Sequence, residues 1–155
     1  MAKILNAHAI ITTNVTPGSV SPSEGWGLNV ADGSLADTVD LVESTADAVL
    51  TGVVVTPLSS GVVGYGQATG QAVEVAMGEV MVEAESADTD TDSIAFNSTN
   101  YAVGTAVGFN SGKYIAGATT GSPAQIISAR GVVVGLKYVG STFTAAIILI
   151  NKVLG

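Results

Sequence analysis

The valines of this chain constrain it most, because their runs keep stopping at glycine or proline. Val53, Val54 and Val55 follow Gly52 and end at Pro57. Val73, Val75 and Met77 alternate with Glu74 and Ala76 up to Gly78, and Val132 to Val134 lie between Gly131 and Gly135. β-Branched side chains favour the pleated backbone, and glycine and proline interrupt it. The pattern predicts short strands over 4–16, 48–56, 72–77, 80–84, 93–96, 106–109, 114–116, 124–128, 131–139 and 143–152. The predicted fold is all-β: a small β-sandwich or barrel-like domain of short strands with an extended N-terminal arm.

The clearest predicted element is a hairpin over 72–84. Val73, Val75 and Met77 share one face, Gly78-Glu79 supplies the turn, and Val80 and Val82 return with Met81 and Glu83 opposite. Residues 35–50 fit two patterns. Leu35, Val39, Val42, Ala46 and Val49 have helical spacing behind a Ser34/Asp37 capping box, whereas 38–42 alternates like a strand. The strand is the preferred reading. Pro17-Gly18 and Pro22 break the N-terminal run, which divides the chain into an arm and loop over 1–33 and a β domain over 34–155.

Only 12% of the residues are charged, against about 25% in an average soluble domain, while 47% are hydrophobic. Such a surface is satisfied by burial against further copies or a partner, or by a neutral coat of Thr, Ser, Asn and Gly. The most apolar stretch, 143–150, is far shorter than the roughly 20 residues of a membrane helix, so no membrane partner is expected. The first residues lack the apolar run of a signal peptide, which predicts synthesis and use without Sec export.

The thirteen acids all lie between Glu24 and Asp92, and the chain carries a net charge of −8. After Lys3 the next basic residue is Lys113, followed by Arg130, Lys137 and Lys152. Phosphate backbones repel an acidic chain, so a nucleic-acid partner is not expected. The segregation either docks an acidic face on a basic one between subunits or disappears by interleaving within one sheet.

Residues that carry chemistry are sparse. There is no cysteine and one histidine, His8, so zinc ligation lacks its donors and a Ser-His-Asp triad would need a base in the N-terminal arm. Asp88, Asp90 and Asp92 have the spacing that starts a calcium loop, but Ser93 and Thr99 stand where its glycine and bidentate glutamate belong. A solvated loop is the default expectation there. Gly64-Tyr65-Gly66 with Gly70 misses the dinucleotide spacing by one position. No catalytic residue, metal ligand or cofactor is expected, and the chain reads as a non-enzyme. Trp26, the only tryptophan, sits between Gly25 and Gly27 as either a plug on its own core or an anchor in a partner's pocket. Ile10, Ile11, Val15, Trp26 and Leu28 are the candidate partner-binding residues.

Several segments together resemble a known family: 47–55 (DAVLTGVVV), 70–84 (GQAVEVAMGEVMVEA), 103–108 (VGTAVG), 112–116 (GKYIA), 129–135 (ARGVVVG) and the apolar run 145–151. Over residues 45–152 the chain resembles the bacteriophage capsid decoration, or cement, proteins. The resemblance implies an all-β homotrimer on the outer surface of an icosahedral virion. It would bind the major capsid protein at three-fold or quasi-three-fold positions, with the N-terminal arm reaching neighbouring capsomers. It further implies that the protein stabilises contacts between capsomers. The competing expectation is a virion spike, tail-fibre or adhesin-type module that recognises a surface or glycan through an aromatic and polar pocket near Trp26, Tyr65 or Tyr101.

Overall fold

A β-ribbon near the N-terminus turns a corner and belongs to two sheets. In a computed structural model, residues 2–8, 10–15, 23–30, 39–41, 52–57, 71–110, 112–117 and 129–151 are described. They form strands β1 (Lys3–Ala7), β2 (Ile10–Val15), β3 (Gly27–Val30), β4 (Val39–Leu41), β5 (Gly52–Pro57), β6 (Gln71–Ala76) and β7 (Val80–Ala84). A single 3₁₀ turn (Ser86–Asp88) comes next, then β8 (Ala106–Asn110), β9 (Lys113–Ala116), β10 (Gly131–Val139) and β11 (Thr142–Ile150). The fold is all-β, and no helix among the described residues is long and apolar enough to cross a membrane. One sheet has six strands in the order β1-β7-β11-β10-β8-β9, and the other has five in the order β2-β6-β5-β3-β4. The outer strands β2 and β4 of the smaller sheet approach one another, which gives it a barrel-like curl.

This topology overturns the expected 72–84 hairpin. β6 and β7 do not pair; they lie in different sheets. β7 pairs with β1, from Lys3 opposite Glu83 to Ala7 opposite Val80. β6 pairs with β2, from Ile10 opposite Ala76 to Val15 opposite Gln71. The corner falls at His8, whose backbone oxygen accepts from Gly78 N at 3.0 Å and whose own N donates to Glu79 O at 3.2 Å. A Cβ on Gly78 would sit 3.1 Å from His8 O, so the glycine permits the close passage at the bend. The alternation on each side is real, but it does not record whether a glycine reverses a chain or bends it.

The N-terminal stretch is extended, as expected, yet it does not stand apart from the β domain. Its strands β1 and β2 each complete a sheet, and β3 pairs with both β4 and β5 across the expected boundary at 33/34. The expected strand over 93–96 is a pair of turns instead. Ile94 N donates to Asp90 O, and Asn97 Oδ1 accepts from the N–H groups of Thr99 and Asn100. Asp and Asn side chains draw the backbone into such turns, while Ile94 and Phe96 still point towards the core and imitate a strand. Of 35–50 only Val39–Leu41 is described, as strand; the expected strand at 124–128 lies outside the described residues.

β10 and β11, nine residues each, form the long central hairpin, with Val139 opposite Thr142 across a two-residue turn at Gly140-Ser141. Gly140 has φ +62°, the left-handed conformation such turns require. Val134 and Thr144 fall outside the register as bulges, which curl the sheet. β8 flanks β10 only at Gly131 and Val132, and β7 flanks β11 only from Ala146 to Ile150. Among the described residues the far half of the hairpin is therefore a two-stranded projection.

The main core lies between the sheets. Val82, Ala146, Ile148, Ile150 and Val107 are 0% exposed and meet Val53 and Ala76 from the smaller sheet. Burial of each aliphatic side chain contributes about 1.5–3 kcal/mol before entropy is charged against it. Leu28, Val54 and Val75 form a second cluster; because Val54 and Val75 neighbour Val53 and Ala76 in their strands, this cluster lies on the opposite face of the smaller sheet.

Candidate functional site

Two surface features stand out, a polar cleft beside Trp26 and the projecting hairpin. The cleft begins with the Gly-Trp-Gly segment. Gly25 adopts φ +80°, and a Cβ there would lie 2.6 Å from Ala2 Cβ; a Cβ on Gly27 would lie 2.8 Å from the Phe109 ring. Both glycines are therefore required for Trp26 to be seated. The segment is fastened by Gly25 N to Val54 O (2.7 Å), Val54 N to Trp26 O (2.8 Å) and Gly27 N to Gly112 O (3.0 Å). The buried Tyr114 hydroxyl donates to Gly25 O at 2.6 Å, and burial pushes its pKa up, so the proton is retained. The Trp26 ring is 7% exposed, with Lys113 Nζ 5.4 Å from its centroid in a cation–π contact. Trp26 Nε1 is buried and has no hydrogen-bond acceptor among the described residues.

The aspartate run forms the facing wall; Thr91 and Asp92 are exposed, as a solvated loop would have them, but Asp88 and Thr89 are buried. Asp88 is 2% exposed, and its Oδ2 accepts from Glu85 N at 3.0 Å, closing the 3₁₀ turn. Thr89 bridges Tyr114, and Asp90 N donates to Tyr114 O at 2.8 Å. The Asp90 carboxylate accepts from Ser93 N, from Ser93 Oγ and from Asn110 Nδ2. Burial works to raise the Asp90 pKa, but these hydrogen bonds outweigh it and hold the carboxyl below the usual carboxylate range. Asp88 and Asp90 thus turn to separate partners, and among the described residues no three acidic, His or Cys side chains group to hold a metal. Trp26, residues 89–92, Asn110 and Lys113 enclose a cleft of about 370 Å³.

The projecting hairpin is apolar. The exposed large apolar side chains among the described residues are Leu5, Val103, Val134, Tyr138 and Val139, at 41–67% exposure, and three of them belong to β10. Leu5 and Val134 are both bulge residues, set outside the register of their strands. Val103 comes close to Val134, because Gly104 N donates to Val133 O. A chain of rings braces the hairpin: Tyr101 to Phe96 at 5.1 Å, Phe96 to Phe143 at 4.7 Å and Phe143 to Tyr138 at 5.9 Å between centroids. Lys137 Nζ meets Glu83 Oε1 at 2.7 Å across β11. This pair joins the basic end of the chain to its acidic middle, as Lys113 does beside Asp90 and Asp92 in the cleft. At these sites charges segregated along the sequence interleave in space.

Of the candidate partner-binding residues, Trp26 and Leu28 are buried in the chain's own fold. Ile10, Ile11 and Val15 lie on β2, with their backbones paired to β6. Trp26 packs within its own chain, and Leu28 is 1% exposed in the second cluster, so neither side chain is presented as a surface anchor. Sequence reasoning missed Tyr138 and Val139, which it placed in an ordinary strand. It also missed the meeting of Trp26 with the aspartate run, although both had drawn notice separately. Tyr65 lies outside the described residues. No family model, curated protein or solved structure matches the chain.

Proposed function

We propose that this chain is a structural virion protein that binds the outer surface of an icosahedral phage capsid and stabilises contacts between capsomers, acting by binding rather than turnover. The observation that carries the reading is the braced apolar projection of β10 and β11, on a chain with 12% charged residues. Its Lys137 is neutralised by Glu83, so the projection offers shape and apolar area rather than net charge. That chemistry suits an apolar groove where major capsid protein subunits meet, and it makes attachment only weakly dependent on salt. Copies joined as a homotrimer would engage several such grooves at once, and linked sites raise avidity by about 10²–10⁴. A ligand of the assembled shell alone stabilises that shell by mass action.

The test is electron microscopy and co-sedimentation with shells of the encoding phage, using the wild-type chain and the double variant Tyr138→Ser/Val139→Ser. The expected result is added density at capsomer junctions for the wild type and at least about a tenfold weaker association for the variant, since two exposed apolar contacts are lost. A folded variant that decorates shells as the wild type does, or a wild type that binds none, overturns the proposal.

A further inference from the structure

We infer that the cleft between Trp26, residues 89–92, Asn110 and Lys113 is a binding site for a neutral polyhydroxylated ligand, a short glycan segment. This site is separate from the projecting hairpin and stands whether or not the chain binds a capsid. The volume of about 370 Å³ lies within the range of small-molecule sites, about 300–1,000 Å³. The walls are held before any ligand arrives. The Gly27–Gly112, Asp90–Tyr114 and Tyr114–Gly25 hydrogen bonds tie together the Trp26 segment, residues 89–92 and the β8–β9 hairpin that form them, and the Gly25–Val54 bond fastens them to β5.

The chemistry of the lining decides the ligand class. Asp90 is anchored and ionised, and Asp92 is exposed at the rim, so both accept hydrogen bonds from hydroxyl groups. Lys113 donates, and the exposed Thr91 hydroxyl does both. An anion would face two carboxylates against one ammonium. An organic cation would find the Trp26 ring already covered by Lys113. A metal ion lacks a third acidic ligand, because Asp88 is turned inward. A neutral polyol uses donors and acceptors together and meets none of these objections.

Trp26 is the only tryptophan, so intrinsic fluorescence reports on this cleft alone. The full chain would be screened on an array of neutral glycans, and the bound glycans titrated while tryptophan emission is followed. The expected result is a saturable emission change for at least one neutral glycan, weakened about tenfold or more in Asp92→Ala, because a hydrogen bond to a charged group is lost. Asp92→Ala should melt with the wild type, and Tyr138→Ser should bind the glycan unchanged. The inference is overturned if no neutral glycan is bound above the level of Asp92→Ala. It is equally overturned if only calcium chloride or spermine, each tested alone, shifts the emission.

Discussion

The β6–β7 segment and the β10–β11 hairpin are built from the same materials and fold in opposite ways. Each places apolar-rich strands on either side of a glycine-led dipeptide, Gly78-Glu79 in one and Gly140-Ser141 in the other. At Gly140 the chain reverses; the residue has φ +62°, and a Cβ there would touch nothing within 4 Å. At Gly78 the chain passes from one sheet to the other; its φ is not in the left-handed region, and a Cβ would press on His8. One glycine supplies a torsion and the other supplies room. The difference shows that a glycine between two strands specifies a bend, and that the neighbouring strand decides which bend it becomes.

Ile148 is where the two regions meet, because it lies opposite Val82 of β7 and Val133 of β10 and is 0% exposed. Ile148→Ala should destabilise the fold by about 2–5 kcal/mol, loosening hairpin and ribbon together. Urea unfolding followed at both regions checks this; a loss confined to one region would show that the two do not share a core. The glycines give the sharper contrast. Gly78→Ala should cost about 1–3 kcal/mol through crowding, and Gly78→Asn should cost no less. Gly140→Ala should cost about 1–2 kcal/mol through backbone strain, whereas Gly140→Asn should recover most of it, because Asn tolerates the left-handed region. Equal rescue by Asn at both positions in thermal melts would erase the distinction. The smallest effect belongs to Asp90, which lies in neither region. Its folded pKa is depressed, so its stabilising contribution is present above the unfolded value near about pH 4 and lost as pH falls through the folded value. Asp90→Asn should flatten that part of the acid limb of stability against pH.

Local pattern made most of the strands legible, although β3 lies in the expected loop, and β10 was read with the bounds it has, because Gly131 opens it and Gly140 follows it. Pairing was less legible. The partners of β7 are β1 and β11, near opposite ends of the chain, and nothing local to 80–84 names either. The apparent strand at 93–96 failed because Asp90 accepts the backbone N–H groups of Ser93 and Ile94, which a strand would have used in pairing. Trp26 was marked by its flanking glycines and the aspartates by their spacing. Their convergence depends on Tyr114 reaching Gly25 and Asp90 from the middle of the molecule. The exposed tip escaped notice because Tyr138 and Val139 continue a buried strand's pattern beyond the point where its neighbours β7 and β8 stop.

The bent ribbon also governs how the molecule would bear load. β1 and β2 lie on the rims of their sheets, so tension at the N-terminus is carried first by the rungs between β1 and β7. Those rungs can open one after another, but at His8 the peeling front must turn into the second sheet before it can advance. The corner is therefore a mechanical stop, and a pull from that end would yield in two stages.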